Sequence, residues 1–182
     1  MGEMKTAQEL KQEGLRLFQE GLYDEALTTF KQAQEKFAAE GNEVEAAEMV
    51  NNLGVIYRMQ GKWDESIAAL EEARATFVRL GDRSREAQTL GNLGGVYASK
   101  RERDKAKECL RRAADIFAEL GDEQRRGETL LALGVQEWKT GDRRAGLATY
   151  EAGLQMLKKP TVSQKTLRSL LKIRTRLLGG KN

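Results

Sequence analysis

The 182-residue chain carries 31 basic and 28 acidic residues, no histidine, one cysteine and one proline, and 40% of it is apolar. A lone Cys109 excludes an internal disulfide and a Cys-rich zinc site, and with no histidine to activate it the thiol is expected to be buried and inert. No run approaches the roughly 18 apolar residues of a membrane span, and MGEMKTAQEL lacks a signal-peptide core, so a cytoplasmic protein is expected.

Taken in chain order, the apolar pattern repeats every 40 residues. Gly14, Gly54, Gly94 and Gly134 share one column, and Leu10, Val50, Leu90 and Leu130 stand four residues before them. Phe30, Leu70, Leu110 and Tyr150 follow, then Ala33, Ala73, Ala113 and Gly153, then Phe37, Phe77, Phe117 and Leu157. Such self-similarity marks stacked units, none of which buries its apolar face alone. The units are residues 6–41, 42–81, 82–121 and 122–159, in one repeat domain spanning 1–182.

Each unit reads as two helices. In the second, Asn42 caps a helix over about 43–60, with Glu45 three residues on as a capping box, and apolar residues from Ala46 to Tyr57 keep a period near 3.6. Gly61 ends it. Asp64 and Glu65 open a second helix over about 64–80, whose apolar face is Ile67, Leu70, Ala73, Phe77 and Leu80. Gly54 is expected to face Ala73, so that any larger residue would push the two helices apart.

Gly21, Gly61 and Gly141 mark the turns inside units 1, 2 and 4, whereas unit 3 has SKRERD. There Lys100 or Arg101 must take up the left-handed conformation that glycine adopts freely. Beyond Pro160, Val162, Leu167, Leu170, Leu171, Ile173, Leu177 and Leu178 predict a further helix within 161–178, which caps the fourth unit.

These columns resemble the tetratricopeptide repeat family over about residues 6–158. Leu53-Gly54-Val-Ile-Tyr57 and Leu93-Gly94-Gly-Val-Tyr97 match the family's Leu-Gly-x-x-Tyr signature, and Ser66, Leu70 and Ala73 hold its later small and apolar positions. The period is longer than the family's usual 34 and looks like its long-helix variants. The resemblance implies an all-α, right-handed solenoid of antiparallel helix pairs that binds other proteins, without enzymatic activity or a cofactor. It also implies that the first helix of each pair lines a concave groove.

Carried onto this chain, that groove consists of Lys11, Asn51 and Gly91, of Gln12, Asn52 and Asn92, of Val55 and Gly95, of Arg58 and Trp138, and of Gln88. The amides of Asn52 and Asn92 suit a peptide backbone, Arg58 suits a carboxylate, and Trp138 suits an aromatic anchor. Gly91 and Gly95, one turn apart, leave a bare strip against which a ligand can lie. The family's clamp for a C-terminal carboxylate does not carry over, because its basic columns hold Lys11 and then Leu15, Gln88 and Asn92.

Charge suggests a second class of partner. Residues 1–80 hold nine basic and fifteen acidic groups, whereas Lys158 to the end holds eight basic and none acidic. Lys165, Arg168, Lys172, Arg174 and Arg176 form a basic tail suited to nucleic acid or another acidic surface. The tail lacks aromatics for stacking on bases, which counts against RNA. Self-association through the Leu-rich tail is the third reading.

Overall fold

Eight α-helices follow one another through the computed structural model, which describes residues 5–158 and 160–169. They are α1 (Ala7–Gln19), α2 (Tyr23–Ala39), α3 (Glu43–Met59), α4 (Trp63–Arg79), α5 (Arg83–Ser99), α6 (Arg103–Glu119), α7 (Glu123–Lys139) and α8 (Arg143–Met156). A short helical segment follows over 162–169, and no strand occurs among the described residues. The expected capping helix is thus described only in its first half; its continuation lies outside the described residues.

The chain divides into two compact units, Met1–Lys100 with α1 to α5 and Arg101–Asn182 with α6 to α8. In the first, each helix packs on the next and α3 also touches α5. In the second, α7 packs on both α6 and α8. Leu10, Phe30, Phe37, Met49, Leu53 and Ile56 anchor the larger core of the first unit. Leu110, Ile116, Phe117, Leu133 and Leu154 are buried in the second.

The 40-residue columns fall where packing needs them, with one correction of register. A Cβ on Gly14 would lie 2.7 Å from the Phe30 ring, and one on Gly54 would lie 2.6 Å from Leu70 Cγ. Gly54 therefore faces Leu70, not Ala73. Ala73 sits about one turn along α4 and packs with Ala47, Val50 and Phe77, as the antiparallel crossing requires. The Ser66 hydroxyl closes the same contact by donating to the Gly54 carbonyl at 2.7 Å.

Caps and turns set the helix ends. Thr6 and Glu9 make a reciprocal capping box on α1, and Asn42, Asp82, Asp122 and Asp142 accept N–H bonds at the starts of α3, α5, α7 and α8. The box expected at Asn42 is only half formed. Its side chain accepts from Glu45 N–H, but the Glu45 carboxylate turns to Lys11 and Arg85 instead. At the end of α3, Gly61 adopts φ 74° while Lys62 N–H bonds back to Tyr57 at 2.9 Å. In the turn before α6 that conformation falls on Arg101, at φ 65°. Cys109 is half-buried, less enclosed than its column suggested.

Candidate functional site

The first helices of the pairs in the first unit, α1, α3 and α5, are joined along one face by charge. Lys11 on α1 reaches Glu45 at 2.7 Å and Glu48 at 2.9 Å on α3. Arg85 on α5 reaches the same Glu48 at 2.9 Å, Glu45 at 3.4 Å and its own cap Asp82 at 2.8 Å. Burial works to raise the Glu48 carboxyl, but hydrogen bonds and charge from Lys11 and Arg85 outweigh it and hold it below the usual carboxylate range. Burial likewise opposes the Lys11 charge, yet Glu45 and Glu48 leave its ammonium above its ordinary value.

This ladder changes the reading of several expected groove residues. Lys11 is half-buried and held by two carboxylates, so it faces its neighbours in the fold. Asn51 is 3% exposed, and its Oδ1 accepts from the Thr89 hydroxyl at 3.1 Å and from Asn92 Nδ2 at 3.0 Å. It ties α3 to α5 from within. Asn92 is half-buried and donates to that bond, so of the two asparagines in its column Asn52 is the one with no partner drawn from a neighbouring helix. Gln12 and Gln88 are exposed, and Val55 is half-buried.

Arg58, on α3, is half-buried, and its Nε is shielded from solvent without a hydrogen-bond partner. A Cβ on Gly95 would lie 3.0 Å from its Nη1, so the missing side chain on α5 gives the guanidinium its seat. Around Gly91 an added Cβ would meet nothing within 4 Å. Packing therefore does not demand a glycine there, and the strip of α5 beside Arg58 is open.

In the second unit, Trp138 lies at the end of α7 and is 49% exposed, with the Arg143 guanidinium 5.8 Å from its ring centroid. Its α7 and α8 neighbours meet backbone to backbone. A Cβ on Gly134 would fall 2.6 Å from the Gly146 carbonyl oxygen, and one on Gly153 would fall 2.7 Å from that of Gly127. Glu137, in the column held by Tyr57 and Tyr97, is buried and accepts from Arg111 at 2.8 Å and from the Thr149 hydroxyl at 2.7 Å. Of the basic tail, Lys165 is exposed and Arg168 donates to the Gln155 carbonyl at 3.3 Å. Lys172, Arg174 and Arg176 lie outside the described residues.

Sequence columns alone did not reveal the Lys11, Glu48 and Arg85 ladder. Its signal was available in the pattern, since Glu45 and Arg85 share one column and Glu48 stands opposite Lys11 across the repeat. Likewise, Gly134 stands in the regular glycine column, and only the contact itself shows Gly146 to be its partner.

Together these features define a helical-hairpin repeat protein. Among the described residues no cluster of His, Cys, Asp or Glu could hold a metal ion, and no helix is long and apolar enough to cross a membrane. The tetratricopeptide repeat family matches residues 10–77 and 45–119, and the chain belongs to it. Its repeats mediate protein–protein interaction. The fold is similar to the crystal structure of BtubC (BKLC) from P. vanneervenii, with a TM-score of 0.74 at 25% identity. That match covers 82% of this chain and 62% of the other, so the chain spans less than two thirds of it. No curated protein matches the chain significantly.

Proposed function

We propose that the protein is a non-catalytic scaffold or adaptor of the cytoplasm, which holds a segment of a partner protein against the face of α1, α3 and α5. The observation that carries this reading is Arg58. A guanidinium with a shielded, unpaired Nε is seated on Gly95, beside a stretch of α5 that is open at Gly91. Buried donors are normally matched, and a carboxylate or carbonyl of a bound segment would draw the guanidinium out of this unpaired position and match its donors. Asn52 and Val55, on the same helix, offer an amide and an apolar contact alongside.

Family membership supports protein binding as the class of activity. The Lys11, Glu48 and Arg85 ladder supports a preformed face, since its charges hold three helices in register before any ligand arrives. The boundaries 6–41, 42–81, 82–121 and 122–159 are kept as the proposed repeat units.

The experiment is affinity capture with wild type beside Arg58→Ala and Gly95→Arg. Losing a charge-assisted hydrogen bond removes about 1.5 to 3 kcal/mol, roughly 10- to 100-fold in affinity. Partners should be depleted by both variants while circular dichroism stays unchanged. Retention of the same partners by Gly95→Arg would sink this assignment of the face. Asn52→Ala is the cleaner amide variant, because Asn92→Ala would also break the bond to Asn51.

A further inference from the structure

We propose that the recess between α7 and α8 at Trp138 is a second docking point, which takes one bulky apolar side chain of a partner peptide whose flanking residues are acidic. The recess measures about 180 Å³. Gly134, Val135, Trp138, Gly146, Leu147 and Tyr150 form its walls, with Lys139 at the edge. It exists because Gly134 and Gly146 bring no side chains to the crossing, so the larger groups around them leave a hollow between two touching backbones.

Size and exposure point to an insert. An apolar cavity of about 150 Å³ accommodates a benzene ring, so this recess matches a single Phe, Leu or Met side chain. Trp138 at 49% and Val135 at 37% exposure present apolar surface at its mouth. An accessible tryptophan bordering a small apolar hollow is the arrangement that dominates binding energy at interfaces.

Charge selects the occupant. Lys139 lines the recess, Arg143 lies over the Trp138 ring, and Arg103 donates to the Lys139 carbonyl at 3.3 Å. None of these three cations forms an ion pair among the described residues. Of the nearby acids two are held by other side chains and one caps a helix, so the three cations outnumber the carboxylate left beside them. Asp142 caps α8 through Ala145 N–H, Glu137 is bonded to Arg111 and Thr149, and Asp104 pairs with Lys107 at 2.9 Å. The mouth therefore asks for carboxylates around an apolar side chain. The chain's own residues from Lys158 onward carry eight basic groups and no acidic one, so they would add to the positive charge. An anionic bilayer would answer the charge, but insertion into a bilayer uses protruding apolar side chains, and a recess receives one instead.

The test follows the indole N–H resonances of the two tryptophans, Trp63 and Trp138, in the full chain. The probe is the blocked peptide acetyl-Asp-Glu-Asp-Phe-Asp-Glu-Asp-amide. Beside it run the same peptide with its Phe replaced by Ala, and vesicles of phosphatidylserine and phosphatidylcholine. The Trp138 signal should shift saturably with the Phe peptide while Trp63 stays in place. The Ala peptide should bind roughly tenfold more weakly or worse, as should the Phe peptide to Arg143→Glu with helicity intact. Equal binding of the Ala peptide would reduce the site to bulk charge attraction and overturn the proposal. So would a Trp138 shift produced by vesicles and not by peptide, or no shift with the Phe peptide.

Discussion

Single residues carry the sharpest consequences. Arg101 holds a left-handed conformation that costs an L side chain about 1 kcal/mol or more and glycine almost nothing. Arg101→Gly should therefore raise the melting temperature, by a stabilisation of about 0.5 to 1 kcal/mol; a lower melting temperature would contradict the turn geometry. Two helical glycines should respond in opposite directions. At Gly54 an added methyl meets Leu70 at 2.6 Å, so Gly54→Ala should cost about 1 to 3 kcal/mol in urea unfolding. At Gly91 it meets nothing, so Gly91→Ala should gain up to about 1 kcal/mol from helix propensity alone. Equal effects at the two positions would contradict the packing described. The need at Arg101 was legible in the sequence because a column of glycines broke there. The difference between Gly54 and Gly91 was legible too, since Gly54 stands in the packing column and Gly91 on the other face; the difference between Gly91 and Gly95 was not, because only the reach of Arg58 from the neighbouring helix separates them.

At the scale of elements, α1, α3 and α5 are clasped by Glu45 and Glu48. The Glu48 carboxyl is held below its unfolded value, which is about 4.3. Its contribution is therefore fully present above about pH 4.3 and fades as pH falls through the lower folded value. Stability measured from pH 6 down to pH 3 should decline more steeply for wild type than for Glu48→Gln, and parallel curves would remove Glu48 from the acid response. The cap of α7 acts independently of this ladder. The Arg125 N–H bond to Asp122 holds that carboxyl below its ordinary range, and Asp122→Ala should cost about 1 kcal/mol at neutral pH. Helix ends were readable from the sequence, since Asn or Asp follows a glycine at each start of α3, α5 and α7. The destination of Glu45 was not. A capping box and a cross-helix ion pair use the same residue at the same spacing, and the cations of α1 and α5 decided between them.

For the molecule as a whole, the period of 40 was enough to specify eight helices and their order, because the same columns must bury the same faces in every unit. It was not enough for the candidate site, whose residues are those that escape the period. Within each unit the helices pack chiefly on their neighbours in sequence. Contacts so local favour fast folding, and refolding from urea should be complete within milliseconds; a dominant phase of seconds would contradict that expectation. The sharing of Glu45 and Glu48 between Lys11 and Arg85 reaches further, into how such a sequence can diverge. Reversing the charge at position 48 would leave a cation on each side facing a like charge, so drift at any one of these places is penalised until its counterparts change as well. Among descendants of this chain, positions 11, 48 and 85 should covary as a set, while the open position at Gly91 is left at liberty to follow whatever it meets.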